Sequence, residues 1–574
     1  MNYLNKLHDW LSSPKVSQDI KDELKAITDD KEIEDRFYKD LEFGTGGIRG
    51  IIGAGSNRMN VYTVSKATCG YALYLKDHFS EPSVAIAYDS RFMSKEFAET
   101  AALVFATNGV KVFLYDDLRP TPMLSFAVGE LKCSGGIVIT ASHNPKQYNG
   151  YKVYGCDGGQ ITDKTASDII RYIDIVGIFD GVETISESEA IDKGLLVIIG
   201  DELDKIYIDK VKSLIIRKDL VDEMAKDLSI IYTPIHGAGL MPVRRALNEL
   251  GFEKLHIVKE QELPDGNFPT AEYPNPEDKN VFNIALNLAK ELNPDLIFGT
   301  DPDCDRIGVV VKDNLGEYKV LTGNQTGTLL AHYIISSLSE LNKLPKNPTI
   351  IKTIVTTEAI RNIANSFGVE TLDTLTGFKY IGEKIKEFEV SNSNSFLFGL
   401  EESYGYLAGT FVRDKDAVIA SALIAEMALY YKKNGLNLYE AMIELYDKYG
   451  YTNEDLVSIN LYGKEGQEKI SKCIDSLRNQ KIDSINGVKV KNYFDYKLSK
   501  AVDNIKNKVS EINLPKSNVL KYILEDDSWY VVRPSGTEPK MKVYLSVNGT
   551  SLQDSEMKLI KFRSLIMNKI NEYL

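Results

Sequence analysis

Three aspartates alternate in residues 300–306 (TDPDCDR): Asp301, Asp303 and Asp305. In an extended segment, side chains two residues apart share a face, so all three carboxylates would point to one side. Converging carboxylates repel unless a divalent cation neutralises them, and an all-oxygen ligand set suits Mg²⁺, Ca²⁺ or Mn²⁺. An EF-hand does not fit: its sharply turning sixth position holds Arg306 rather than glycine, and its twelfth holds Lys312 rather than glutamate. The plain alternative, a solvated acidic turn, is disfavoured by the apolar runs on both sides, which pin the loop.

The second chemical group is Ser142 in residues 140–145 (TASHNP). The GxSxG elbow of serine hydrolases is absent, since Thr140 and Asn144 stand where glycines belong. His143, next in sequence, is expected to be badly placed to activate its neighbour. The better reading is a phosphoryl carrier: phosphoserine brings about −1.5 to −2 charges and three acceptor oxygens, one of which would complete a metal shell at the aspartate loop. The bland alternative is a Ser/Asn/Pro turn.

Basic and glycine-rich stretches complete the pattern. Arg49 in residues 44–50 (GTGGIRG) sits on backbone able to approach a ligand closely. Lys152 follows Asn149-Gly150, a turn signal expected to fold it back over Ser142, where it would counter phosphoryl charge or transfer a proton. Arg533, Ser535, Gly536 and Thr537 (in RPSGTEP) combine a guanidinium fork, two hydroxyls and an unobstructed amide, the composition of a phosphate cradle. No Walker A pattern occurs, which disfavours a nucleoside triphosphate. Glu401, Glu402 and Ser403 offer acceptors and a hydroxyl suited to vicinal sugar hydroxyls.

These loops need elements to hold them. From residue 83 short apolar runs alternate with helical periods: strands at 83–87, 110–115 and 136–140, helices at 94–108 and 121–132. The pattern returns at 228–299 and again at 349–400. Such alternation predicts βαβ units with mainly parallel pairing. Each chemical loop follows a strand, where open α/β sheets place ligands, and one cleft built from all four loops is expected. Residues 529–547 read as strand–loop–strand, with a terminal helix from about residue 553. The first forty residues read as a surface helix pair.

Composition narrows the partners. The 574 residues carry 68 Lys+Arg against 82 Asp+Glu, a net charge of −14, so neither nucleic acid nor an anionic membrane is the expected partner. Five scattered cysteines form no CxxC pair, which argues against a disulfide framework or zinc knuckle. The start lacks a secretory pattern, and the apolar run at 417–425 stops at Glu426, so the expectation is a cytoplasmic protein with no membrane contact.

Taken together and in order, TASHNP, GTDPDCDR, GLEES and RPSGTEP resemble the α-D-phosphohexomutase family, which includes phosphoglucomutases and phosphomannomutases. The resemblance runs from Gly44 to about Tyr544. It implies an α/β fold of three related mixed-sheet domains (1–203, 204–321 and 322–445) and a C-terminal α+β domain (446–574) around one central cleft. It implies that Ser142 is the phosphorylated serine, that Asp301, Asp303 and Asp305 with Ser142 hold Mg²⁺, and that Arg49 and Lys152 flank the transferring phosphoryl group. Glu401 and Ser403 would hold sugar hydroxyls, and Arg533, Ser535, Gly536 and Thr537 the distal phosphate. His143, Arg306, Thr376, Gly377 and Lys379 join the expected substrate contacts. Lys415, in RDKDA, resembles the lysine of glucose-specific members and is the candidate second acid/base. The implied activity interconverts glucose 1-phosphate and glucose 6-phosphate through glucose 1,6-bisphosphate, with a monomer or weak dimer expected. TLTGFKYIGEK also resembles a phosphopentomutase-containing subgroup, which makes pentose phosphates an alternative beside mannose phosphates and a non-catalytic sugar-phosphate binder.

Overall fold

The computed structural model describes residues 3–480, 482–485, 487–535 and 539–574. The chain divides into two compact units, one of residues 1–350 with 378–438 and one of residues 351–377 with 439–574.

The first unit opens with three short helices, Tyr3–Ser12, Gln18–Ala26 and Asp30–Phe37, rather than the expected pair. They bury Trp10, Leu24 and Phe37 against Tyr62, which gives this layer an apolar core of its own. A sheet follows from β1 (Gly47–Ile51), β2 (Ser83–Tyr88), β3 (Lys111–Tyr115), β4 (Gly135–Ile139), β5 (Tyr148–Gly155) and β6 (Leu196–Ile199), in the order β1-β5-β4-β2-β3-β6. β2 and β4 read as uninterrupted apolar runs because helices such as Val61–His78, Ser94–Thr107 and Thr121–Glu130 pack on them. β2 pairs in parallel with β3 and β4, whereas β5 runs antiparallel between β1 and β4. The sheet is therefore mixed.

A second sheet orders β7 (Ile230–Thr233), β8 (Leu255–Ile257), β9 (Leu296–Thr300), β10 (Ile307–Lys312) and β11 (Tyr318–Val320) as β11-β10-β9-β7-β8. β7 and β9 are parallel neighbours, and β9 and β10 form an antiparallel hairpin whose connection is the aspartate loop. β12 (Pro348–Thr353) leads out of the first unit and β13 (Glu370–Thr374) lies in the second. The hairpin β14 (Ser395–Glu401) and β15 (Gly405–Ala408) returns to the first. The helix Ala417–Lys433 after it is buried almost throughout, including Glu426, and is capped by Asp416, which accepts from the Val418 and Ile419 amides.

In the second unit, β16 (Tyr451–Asn460), β17 (Ser484–Ile485), β18 (Val488–Asp495), β19 (Lys500–Asp503), β20 (Lys508–Glu511), β21 (Leu520–Leu524), β22 (Trp529–Pro534) and β23 (Lys540–Gly549) form antiparallel pairs in the order β16-β23-β22-β21-β18-β19-β20, with β17 beside β18. The helices Gly463–Asn479 and Leu552–Asn571 close its core around Ile474, Tyr530 and Ile566. All five cysteines are free, and among the described residues no helix is long and apolar enough to cross a membrane.

Candidate functional site

Loops at the carboxyl ends of β4, β9 and β14 meet within the first unit. Ser142 lies just beyond β4 and takes a left-handed backbone conformation (φ 51°), which a non-glycine residue holds only where its surroundings fix it. Those surroundings are explicit. The Thr140 hydroxyl donates to Asp89 at 2.6 Å and accepts from the Ser142 amide at 2.8 Å. The Arg91 guanidinium donates to the carbonyls of Ser142, Asn144, Pro145 and Tyr148. Arg91 and its partner Asp89 are both buried, 3.4 Å apart. Neither residue stands in the sequence motifs singled out above. The available signal was an Asp-Ser-Arg at the carboxyl end of an otherwise apolar strand.

The Ser142 hydroxyl donates to Asp301 Oδ2 at 2.9 Å across 159 residues of chain. It also stands 3.0 Å from His143 Nδ1, so the expectation that this neighbour is badly placed is corrected. The left-handed turn at Ser142 brings the imidazole back toward the hydroxyl, which extended backbone would not. Burial, with Arg306 and Arg49 adding to it, pushes the His143 pKa well below its ordinary value, so the ring is neutral.

The aspartate loop is a tight turn, not the extended segment expected: Cys304 is left-handed (φ 50°) and its amide closes onto the Asp301 carbonyl at 2.9 Å. The three carboxylates converge nonetheless, because the turn wraps them around one point. One oxygen from each lies within 4.8 Å of the others, and all three residues are buried. Asp303 Oδ2 accepts from Lys152 Nζ (2.8 Å) and the Thr121 hydroxyl (2.8 Å), while Asp301 Oδ1 accepts from the amides of Asp305 and Arg306. Asp303 Oδ1 and Asp305 Oδ1 are buried with no hydrogen-bond partner. Unsatisfied buried carboxylate oxygens are costly, and a hard divalent cation is the ligand this donor set fits. Burial, then repulsion from Asp303 and Asp305, pushes the Asp301 pKa well above the carboxylate range. Burial acts the same way on Asp303, but Lys152 outweighs it and holds that group low.

Lys152 lies on β5, and here a third expectation fails. Asn149-Gly150 is not a turn but strand, paired with Gly50 and Arg49 of β1. Glycine is needed at 150 because a side chain there would meet the Thr140 carbonyl at 2.5 Å. Lys152 thus reaches Asp303, and Asp305 at 3.6 Å, from across the sheet. Burial opposes its charge, yet the two aspartates raise its pKa. Arg49 on β1 donates to the Asn144 side chain of the serine loop at 3.1 Å. Arg306 is held by Glu277 at 2.6 Å and faces Asp305 at 3.8 Å.

From the segment between β15 and the helix Ala417–Lys433, Lys415 Nζ comes within 3.3 Å of Asp305 and 3.9 Å of Glu401. Burial lowers its proton affinity, but Asp305, Asp414 and Glu401 more than restore it, so the ammonium is held charged. Glu401 is buried and Ser403 is half-buried in the turn of the β14–β15 hairpin. Lys379 is engaged elsewhere, with Asp163 at 2.7 Å and the Thr45 carbonyl at 3.4 Å, and does not join the aspartates.

The remaining expected residues belong to the second unit. Arg533 pairs with Lys542 on the β22–β23 hairpin, and the Ser535 amide donates to the Lys540 carbonyl at 2.7 Å. Gly536 and Thr537 lie outside the described residues. Thr376 has a buried hydroxyl without a partner, beside Gly377 at φ 123°.

Comparison with known proteins bears on what this arrangement is. Residues 40–175, 205–316 and 322–449 match the descriptions "Phosphoglucomutase/phosphomannomutase, alpha/beta/alpha domain" I, II and III, and residues 481–553 the C-terminal domain of the same family. A protein of Staphylococcus haemolyticus named phosphoglucomutase is 38% identical over 90% of this chain and 92% of its own. One of Staphylococcus saprophyticus with the same name is 35% identical over 95% and 97%. Two crystal structures share the fold. A phosphoglucomutase/phosphomannomutase family protein of Burkholderia thailandensis gives a TM-score of 0.65 at 18% identity, over 92% of this chain and 97% of that one. The pp63/parafusin of Paramecium gives 0.66 at 16%, over 93% and 95%.

Proposed function

Because the chain belongs to the phosphoglucomutase/phosphomannomutase family, we propose that it is an isomerase interconverting glucose 1-phosphate and glucose 6-phosphate through phospho-Ser142 and glucose 1,6-bisphosphate. The observation that carries the reading is the Ser142 hydroxyl at 2.9 Å from Asp301, within a cluster of three buried acids and two partly buried lysines. Binding alone does not need a hydroxyl held there.

In the first half-reaction the Oγ–P bond of phospho-Ser142 breaks and the free hydroxyl of the sugar monophosphate forms the new O–P bond, its proton passing, net, to the released Oγ. The bisphosphate then presents its other phosphate, that O–P bond breaks, and Oγ is rephosphorylated. Asp301, Asp303 and Asp305 with Ser142 would hold Mg²⁺, which when bound supplies positive charge to the transferring phosphoryl group. Arg49 and Lys152 add charge from β1 and β5. Lys415, kept protonated by its carboxylate neighbours, donates a proton to the sugar oxygen released in the second half-reaction. Glu401 and Ser403 hold sugar hydroxyls, His143, Arg306, Thr376, Gly377 and Lys379 contribute further substrate contacts, and Arg533, Ser535, Gly536 and Thr537 bind the distal phosphate. The four-domain division at 203, 321 and 445 belongs to the same proposal.

Turnover of glucose, mannose and ribose 1-phosphates, each primed with its bisphosphate, tests the substrate; the glucose ester is expected to lead. Ser142→Ala is expected to lower that turnover by several orders of magnitude in a folded protein. Near-normal turnover would remove the carrier role.

A further inference from the structure

Gly405 opens β15 directly opposite Glu401, the residue that ends β14. Its backbone is not in the left-handed region, so glycine is not required there for conformation. Space is the requirement. A methyl group at Gly405 would fall 2.8 Å from Cγ of Lys415 and nearer still to its Cδ, well inside van der Waals contact, with Cε at the edge of contact at 3.4 Å. The aliphatic stem of Lys415 therefore lies across the bare backbone of Gly405 on its way to Asp305 and Glu401. The root of the lysine is fixed as well: its amide donates to Asp414 Oδ1 at 2.8 Å, and the other Asp414 oxygen accepts from the Tyr154 hydroxyl at 2.6 Å. Tyr154 sits on β5 two residues beyond Lys152, so one strand supports both lysines.

We infer that Gly405 is a positioning residue for Lys415: its missing side chain is the passage by which the ammonium reaches the reacting groups. This rests on the role proposed above for Lys415. The atoms a new methyl would strike belong to the lysine side chain and not to backbone, so the clash is met by displacing the lysine stem.

The test is a double-mutant cycle in turnover of glucose 1-phosphate primed with glucose 1,6-bisphosphate, with thermal unfolding run alongside. Lys415→Ala is expected to lower kcat by about 10²–10⁴-fold, the range of a general acid. Gly405→Ala is expected to lower kcat at least about tenfold with KM changed less than about threefold, and to change kcat less than about threefold in the Lys415→Ala background, because the group it displaces is gone. Wild-type kcat in Lys415→Ala would fault the role of the lysine itself. If Lys415→Ala is impaired, the inference about Gly405 is overturned by wild-type kcat in Gly405→Ala, by equal losses in both backgrounds, or by an unfolded Gly405→Ala.

Discussion

Removing one acid should separate the two demands on the aspartate loop. With one oxygen of each carboxylate inside 4.8 Å of the others, each pair of charges repels by at least about 3.5 kcal/mol at an effective dielectric constant of 20. Lys152 at 2.8 Å from Asp303 and Lys415 at 3.3 Å from Asp305 offset two of the three charges. Asp301 has only a hydroxyl and backbone amides as donors, and it carries the deficit as a raised pKa. Asp301→Asn should therefore leave the metal-free protein as stable as the parent, or slightly more so, because it removes a carboxylate whose charge burial and the two neighbouring aspartates disfavour. It should abolish most of the stabilisation by Mg²⁺. For the parent, Mg²⁺ at a hundred times its dissociation constant is worth about 2.7 kcal/mol, a rise of several degrees at most in the unfolding midpoint of a protein this size. Thermal scans in EDTA and in excess Mg²⁺ read both numbers. A full Mg²⁺ shift in Asp301→Asn, or none in the parent, refutes the reasoning.

Other perturbations follow from the same geometry. Arg91→Met strips four loop carbonyls of their donor and leaves Asp89 buried beside a neutral side chain, so a loss of about 3–5 kcal/mol is expected in urea unfolding of the first unit. Arg91→Lys should recover little of it, lacking the forked donor. Arg533→Ala should raise KM for the phosphosugar at least about tenfold while kcat changes less; unchanged kinetics would discard the phosphate contact. Burial lifts the Asp416 pKa to about 7, so the folded state keeps a proton the unfolded chain has released. Stability should accordingly fall as pH rises from about 4 to 7, by at most about 1.4 kcal/mol per unit for this group. Glu426, also near 7, adds to the same slope. Asp416→Asn keeps the helix cap and should flatten the dependence by about half; an unchanged slope counts against burial as the cause.

The strands and chemical loops were legible because alternating apolar runs and rare residue combinations are local signals. The corrections share a cause, which is that local signals do not report what packs alongside. Asn149-Gly150 reads as a turn in isolation, but β1 pairs with it on one side and the Thr140 amide, just beyond β4, donates to the Gly150 carbonyl on the other. Period-two spacing gave a common side for the aspartates, whereas a hairpin turn gathers them. The distance from Ser142 to His143 depends on a left-handed backbone that no neighbouring glycine announces. Arg91 and Tyr154 act on loop carbonyls and on a carboxylate far along the chain, and an ordinary arginine or tyrosine carries no mark of such a partner.

β5 has a consequence for how this protein can change. Its neighbour β1 aligns Arg49 with Gly150, and its neighbour β4 aligns Val138 with Lys152 just before the chain leaves for Ser142. A slip of one residue would turn Lys152 and Tyr154 to the opposite surface. Insertions or deletions of single residues between 140 and 148 are thus the lesions to expect in folded but inert variants, since they disturb the phase of the strand and not its existence.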